Sequence, residues 1–426
     1  MFRSKLLRSR RFVDVSKDTQ FTDAWLIVAV ILLVIGLVID NAFFSTAAVT
    51  IAVLVGVTWA WGALSLAGLT YERRFSEIRA FQGEQIQLTL TVSNRKPLPL
   101  TWLSIEDSFP AVLPVDGKTI TLNRATNLGE FRSFWMPNAF QRVQRHFTVD
   151  CVERGFHRFG PTQLSTGDGF GFFGRTVTLP EEQRLIVYPR LYSVDELNLP
   201  AKNPFGERRA HERLFEDPLR TVGIREWQQA DDPRRIHWKA TARHGEMLSR
   251  LYEPSREEQI VIVLNVATML RHWHGIIPEL MERVISVAAS LAVIAAEERH
   301  AVGLIANGVL PGSDQPLRLL PGRAPDQVMR ILELLAAVTP FASTQIETLL
   351  LHEAPRLSWG ATIVVVTAIV HDDLLAALLD LVDAGRRVVL FTLAEAPPER
   401  MLPGVIVYHA PGIVEDLIVV EGGDDA

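Results

Sequence analysis

Apolar and polar positions fall into three successive patterns along this chain. Between Ala24 and Thr70 there is one charged residue, Asp40. The run "AWLIVAVILLVIGLVI" (24–39) and the run "TAAVTIAVLVGVTWAWGALSLAGLT" (46–70) flank the short link "DNAFFS". A helix needs ~20 apolar residues to cross a bilayer. The second run meets this, and the first does so when extended through Thr22 and the turn, so the pattern predicts a two-helix transmembrane hairpin. Trp25, Phe43, Phe44, Trp59, Trp61 and Tyr71 fall near the expected headgroup levels, where aromatic rings are favoured. A secretory signal would end in a small-residue cleavage site; here a second span follows instead.

From Phe75 to Arg190 the period drops to two. "EQIQLTLTVSN" alternates polar and apolar as a half-buried strand does, and "LTWLSIEDSFP", "QRVQRHFTVDCVERGFHRFGP", "TVTL" and "RLIVYPR" continue the theme. This predicts an all-β sandwich. A charged, proline-broken stretch then reads as a linker. From Thr221 onward, continuous apolar runs such as "QIVIVLNVA", "AVGLIAN", "ATIVVVTAI" and "RRVVLFTLA" alternate with amphipathic helical segments. Runs apolar on both faces, separated by helices, predict a mostly parallel, doubly wound α/β sheet. The expected organisation is a basic cytoplasmic N-terminus (1–23), the hairpin (24–70), a sandwich-like domain (71–190), a linker (191–220), an α/β domain (221–420) and an acidic tail (421–426).

Charge adds an orientation. Arg3, Lys5, Arg8, Arg10, Arg11 and Lys17 precede the first span, and Arg73, Arg74 and Arg79 follow the second, while the turn has neither Lys nor Arg. The positive-inside rule then puts both ends, and the bulk of the chain, in the cytoplasm, with the lipid bilayer of the inner membrane as a partner. Over the 426 residues the net charge is −6, which speaks against nucleic-acid binding. The single cysteine, Cys151, excludes a disulfide framework or multi-thiolate site within the chain.

"GDGFGFFG" holds Gly169, Gly171 and Gly174 in G-x-G-x-x-G spacing. A dinucleotide loop must open a helix, and the strand-like "RTVTL" follows instead, so a glycine-rich turn is expected. No phosphate-cradling G-x-x-x-x-G-K-[ST], H-E-x-x-H or G-x-S-x-G motif occurs, and no cofactor is expected. His272 and His274 in "RHWHG" read as a solvated loop.

The most charged stretch is "ADDPRRIHWKATARHGEML", Ala230 to Leu248. Gly223, Arg225, Trp227, Asp231, Asp232, Arg234, Ile236, Trp238, Ala242, Arg243, Glu257 and Glu258 resemble in register the signature of the DUF58 family, with Ala230 standing where that family usually has glycine. "RGFHRFGP" and "DGFGFF" resemble its β-region landmarks. The resemblance implies a membrane protein with a von Willebrand A-like domain after a sandwich-like one, working beside a MoxR-type AAA+ ATPase as adaptor or substrate. Von Willebrand A domains often hold Mg²⁺ through D-x-S-x-S after the first strand. Here Asn265, Ala267 and Met269 occupy those positions, and Ala368 follows Thr367 where a second aspartate would stand. Neutral amides and hydroxyls are poor substitutes for carboxylates around a hard cation, so a degenerate, vacant metal site is expected, with Ser343 or Thr344 offering a further hydroxyl.

Three roles suit the charged stretch. It can be a lattice in which Asp231 and Asp232 pair with Arg225, Arg234, Arg235 or Arg243 and Trp238 packs between domains. It can be a docking surface, since arginine and tryptophan dominate binding energies. It can be an enzyme centred on Asp232 and His237, although no nucleophile or cofactor accompanies them. A non-enzymatic adaptor or scaffold is the leading expectation.

Overall fold

The computed structural model describes residues 15–19, 22–116, 120–123, 128–169, 173–197, 199–200, 205, 216–228, 235–254, 259–269, 275–358, 360–398 and 402–410. The chain divides into two compact units, Met1–Tyr188 and Pro189–Ala426.

The first unit contains β1 (Val15–Thr19), α1 (Thr22–Val38), α2 (Ala42–Leu64), β2 (Leu69–Phe75), β3 (Arg79–Phe81), β4 (Gln85–Asn94), β5 (Leu103–Phe109), β6 (Thr121–Asn123), β7 (Leu128–Trp135), β8 (Arg142–Asp150), β9 (Gly155–Phe159), β10 (Thr162–Gly167), β11 (Phe173–Leu179) and β12 (Gln183–Tyr188). Among the described residues α2 is the one helix long and apolar enough to cross a membrane; the apolar part of α1, Ala24–Val38, is shorter. The two helices approach closely, for a Cβ on Gly36 would lie 2.4 Å from Ser45 Oγ. Small residues at such contacts are how apolar helices pack. Asn41 caps α2, its side chain accepting the Phe43 N–H at 2.9 Å. At the other end, Lys96 Nζ donates to the carbonyls of Ser65 and Ala67, and Arg175 Nη1 donates to that of Ala63 at 3.1 Å. Cations on orphaned carbonyls also complement the helix dipole.

The strands form sheets ordered β1-β11-β10-β5-β7-β6, β3-β12-β9 and β2-β4-β8, antiparallel throughout except for β3 against β12. One apolar core joins all three, from Leu88 and Leu90 of β4 to Ile105 and Phe109 of β5 and Leu185 and Val187 of β12. The alternation read in β4 holds, with Ile86, Leu88, Leu90 and Val92 buried. A charged group also lies within this unit. Asp107 of β5 is fully buried; its Oδ1 accepts from Arg73 Nη1 at 2.9 Å and from Thr162, and its Oδ2 from Tyr71. Arg73 Nη2 continues to the Phe159 carbonyl at 2.6 Å. Burial pushes the Asp107 carboxyl up and the Tyr71 phenol well up; Arg73 opposes both.

Two expectations change here. Arg73 is buried among the strands, so it is not a headgroup-level flanking charge; its position in the period-two pattern of β2 points it inward. Residues 15–19, read as part of a basic tail, form β1, which pairs with β11 from Val15↔Val177 to Thr19↔Phe173. The glycine-rich stretch joins β10 to β11, two antiparallel strands, and no helix opens at it. Gly171 lies outside the described residues.

The second unit contains β13 (Glu216–Glu226), α3 (Trp238–His244), β14 (Leu248–Pro254), β15 (Gln259–Leu264), α4 (Pro278–Glu297), β16 (Ala301–Ala306), β17 (Leu317–Gly322), α5 (Gln327–Ala337), α6 (Ile346–Glu353), β18 (Thr362–Thr367), α7 (Asp372–Asp383), β19 (Arg387–Thr392) and β20 (Val405–His409). Its main sheet runs β17-β16-β15-β18-β19-β20, parallel but for β17. Counting these strands along the chain, the order is 3-2-1-4-5-6, with the third antiparallel. Val261 and Val263 of β15 pack with Leu349 and Leu350 of α6 and Leu374 and Leu378 of α7. Successive strand residues face opposite ways, so Ile260, Ile262 and Leu264 turn to the other face, where α4 contacts β15, β16 and β18. The apolar strands are thus covered on both sides, as their composition predicted. The edge strand β17 is clasped through Arg318, which reaches Glu353 at the end of α6; that buried carboxylate also takes His352 at 2.8 Å and Arg356 at 3.2 Å. β13 starts inside the stretch read as a linker and pairs antiparallel with β14 as a separate ribbon. Charge and a proline give β13 the composition of a linker, which hid it.

Candidate functional site

In an open α/β sheet ligands bind beyond the carboxyl ends of the strands, where the strand order reverses. Here that point lies between β15 and β18. Asn265 follows β15 and Thr367 ends β18, and Asn265 Nδ2 donates to Thr367 Oγ1 at 3.0 Å. Asn265 Oδ1 accepts the Ala267 N–H at 3.1 Å and Asn307 Nδ2 at 2.9 Å. Asn307, just past β16, uses its other amide hydrogen on the Thr344 carbonyl at 3.2 Å and accepts the Val266 N–H at 2.9 Å. Thr367 Oγ1 donates to the Ile369 carbonyl at 2.8 Å. Ser343 donates to the Asn307 carbonyl through both its N–H, at 2.9 Å, and its hydroxyl, at 3.0 Å. Asn265, Asn307 and Thr367 are all buried.

These side chains complete one another. Both lone pairs of Asn265 Oδ1 face N–H groups, and no carboxylate joins the set. Ala267 contributes its backbone N–H, a donor where a serine oxygen would be needed, and Met269 is half-buried. The residues do not fit a divalent cation, which requires several free oxygens; they form a neutral staple across the reversal point. Asn307, its centre, was missed by the sequence reading. The signal was present: at their carboxyl ends adjacent strands read "LIAN", "IVLN", "VVVT" and "VLFT", placing Asn307, Asn265, Thr367 and Thr392 in a row along one sheet edge.

The described part of the charged stretch, residues 235–248, leads into β14 of the β13–β14 ribbon. The Trp227 N–H donates to the Met247 carbonyl at 2.9 Å and the His237 N–H to the Leu248 carbonyl at 2.8 Å, and Ile236 bridges Ser249. The chain thus leaves β13 at Trp227 and returns to the same partner strand at Ile236. α3 follows at once. His237 is its N-cap, Nδ1 accepting the Ala240 N–H at 3.1 Å. Gly245, at φ +76°, closes it in the left-handed conformation that glycine adopts without strain. Thr241 Oγ1 accepts the Leu248 N–H at 3.1 Å.

α3 has no buried residue. Trp238 is 67% exposed, and Ile224 and Met247 are 47% and 45% exposed. Within the second unit the Trp238 indole is therefore largely uncovered by the described residues. Arg243, exposed on α3, has no ion pair among the described residues; Arg225 donates to the Glu226 carbonyl at 3.0 Å and has further contacts, as does Arg235. Trp227 Nε1, Ser249 Oγ and Arg250 Nε are buried with no hydrogen-bond partner among the described residues. Asp231, Asp232, Arg234, Glu257, Glu258, His272, His274 and the acidic tail lie outside the described residues. His237 uses one ring nitrogen as a helix cap, so in the neutral ring the other nitrogen carries the proton and has no lone pair to offer as a base.

The class of molecule defined so far is a chain with an apolar N-terminal helix, a multi-sheet β unit and a doubly wound α/β unit carrying a charged ribbon. Residues 223–413 match the family described as "Protein of unknown function DUF58", and this part of the chain belongs to that family. A Bacillus subtilis (strain 168) protein described as "Uncharacterized protein YeaD" is 23% identical over 228 residues, covering 51% of each chain. The chain thus spans about half the length of the curated relative it matches. Local likeness extends to the CARDB domain of a Pyrococcus furiosus protein (10% identity, TM-score 0.18, 28% of this chain and 91% of that one). It extends also to the sporulation control protein Spo0M of Bacillus subtilis (10% identity, TM-score 0.16, 29% and 50%). Scores this low place no constraint on the architecture.

Proposed function

We propose that this chain is a membrane-anchored, non-enzymatic docking protein whose α/β unit presents the ribbon and α3 to a protein partner. The observation that carries the reading is α3 itself. A seven-residue helix without a buried face is marginal on its own, yet this one is capped at both ends and displays an exposed tryptophan beside the exposed cations Lys239 and Arg243. Tryptophan and arginine together are the residues that most often dominate an interface. The neutral staple agrees with it, because the crevice where this kind of sheet binds ligands is closed.

Three finer elements belong to the same proposal. The strand order 3-2-1-4-5-6 with an antiparallel third strand supports a von Willebrand A-like domain whose metal site has degenerated, and the shared core of the first unit supports a β-sandwich. α1 and α2 form a two-span hairpin in the inner membrane, with the bulk of the chain in the cytoplasm. The partner is an AAA+ ATPase of the MoxR type, an expectation from the family resemblance.

The test uses full-length protein in nanodiscs and a purified MoxR-type ATPase from the same organism. Binding by wild type, lost at least about tenfold in Trp238→Ala and Arg243→Glu with unchanged thermal midpoints, is the expected result. Equal affinity of both folded variants would remove the docking surface from α3.

A further inference from the structure

The end of the first unit nearest the exit of α2 carries a set of features that its own packing does not use. β4 and β8 run side by side, with Ser93 opposite Arg142 at one end and Gln85 opposite Asp150 at the other. Ten residues of β4 separate these ends by roughly 30 Å. The chain enters β2 at the first end, since Leu69 pairs with Asn94. Two loops meet there. Asn94 Nδ2 donates to the carbonyls of Leu98 and Asn138, both at 2.9 Å, the Leu100 N–H donates to the Pro137 carbonyl at 3.1 Å, and the Phe140 N–H donates to that of Lys96 at 3.2 Å. Lys96 in turn holds the carbonyls of Ser65 and Ala67, just past the end of α2. Loops 95–100 and 136–141 are therefore fixed to the point where the apolar helix ends.

What they display is apolar and cationic. Phe140 is 69% exposed and Met136 71% exposed, with Phe134 next on the outer face of β7 while Trp135 turns inward. Arg95 and Arg142 are exposed and make no ion pair among the described residues. Phe140 has φ +55°, the left-handed region that favours glycine and disfavours a bulky side chain. A strained backbone that projects an aromatic ring into solvent serves nothing inside the fold, and strain of this kind collects where a surface meets something else.

We propose that these two loops are a second membrane contact, in which Phe140 and Met136 enter the headgroup boundary and Arg95 and Arg142 meet anionic phospholipid headgroups. The inference rests on reading α2 as a membrane span. Continuity with that helix supplies the occupant: a surface tethered within a few residues of the bilayer meets lipid before it meets anything else. Aromatic rings settle at the interface, and each basic side chain near an anionic leaflet is favoured. The β unit is then held against the bilayer at two points.

The experiment labels single cysteines with an environment-sensitive fluorophore in full-length protein reconstituted into phosphatidylcholine–phosphatidylglycerol vesicles. Native Cys151 is buried, with its thiol pushed up to about 11, and stays unlabelled. Phe140→Cys reports the loop, Val152→Cys the exposed far end of the β unit, and Val53→Cys the middle of α2. The expected result is iodide quenching about threefold weaker at 140 than at 152, rising toward the value at 152 when Arg142→Glu is added. Quenching at 140 equal to that at 152, with position 53 shielded, overturns the proposal and leaves the span intact. Quenching at 53 equal to that at 152 overturns the span and the proposal with it. No response to Arg142→Glu removes the headgroup role of Arg142.

Discussion

The carboxyl edge of the main sheet and the β13–β14 ribbon are both polar, and they treat their polar atoms in opposite ways. At the sheet edge, Asn265, Asn307, Thr367 and Ser343 are bonded to one another and to nearby backbone. On the ribbon, Trp227, Ser249 and Arg250 keep buried polar atoms without partners among the described residues, and α3 has no fully buried residue. The location where the architecture ordinarily binds a ligand is closed, whereas α3 beside the ribbon leaves Trp238 and Arg243 exposed. Polar residues at a fold's usual binding point are thus no guide to binding until their hydrogen bonds have been traced.

The sharpest way to break this contrast is to open the staple. Asn307→Ala leaves the Val266 N–H without its acceptor and deprives Asn265 and the Thr344 carbonyl of donors, so denaturant unfolding of the solubilised chain should show a loss of about 3 kcal/mol. A loss near zero would mean that water replaces the amide freely and the crevice is not closed. Asn265→Asp keeps the accepted bonds but cannot donate to Thr367 and buries a charge; a loss of about 2 kcal/mol is expected, with no recovery of the thermal midpoint on adding Mg²⁺. Recovery would show that a cation fits after all. On the open side, His237→Ala removes only the cap of α3, costing about 1 kcal/mol. Trp238→Ala should change stability by less than about 0.5 kcal/mol while weakening partner binding, because nothing in the fold rests on the indole.

The smallest effect concerns pH and serves as a control from the first unit. Burial lowers the pKa of His157, against the opposing pull of Glu153. The folded chain then binds fewer protons than the unfolded one just below pH ~6.5, so stability falls as pH drops through that value toward the folded pKa. The slope should vanish in His157→Gln and persist unchanged in Trp238→Ala, followed by thermal midpoint against pH.

Much of the architecture was legible because burial on both faces writes itself as an unbroken apolar run. β15, β16, β18 and β19 were each visible for that reason, as were α4, α5 and α7 from their apolar stripes. Edge and ribbon strands were not. β1, β13 and β17 each pair on one side only, and their sequences carry charge, in β13 and β17 with proline, as loops do. Arg73 misled because an arginine soon after an apolar run looks like a membrane flank, and only the register of β2 reveals that it points at Asp107. At the candidate site the absence of carboxylates was readable, but the partnership of Asn265, Asn307 and Thr367 was not, because residues distant in sequence meet only once the strand order is known.

The clasp between β17 and α6 carries a consequence for solubility. β17 is the outermost strand and runs against its neighbours; its ladder to β16, the Gln327 side chain of α5 on the Leu320 carbonyl at 2.9 Å and the reach of Arg318 to Glu353 keep it in place. Should that carboxylate be neutralised, the strand could peel away and bare the backbone of β16 to other chains, the template from which sheets grow between molecules. One acidic side chain at the end of α6 is therefore one of the fastenings that keep this sheet edge from pairing with other chains.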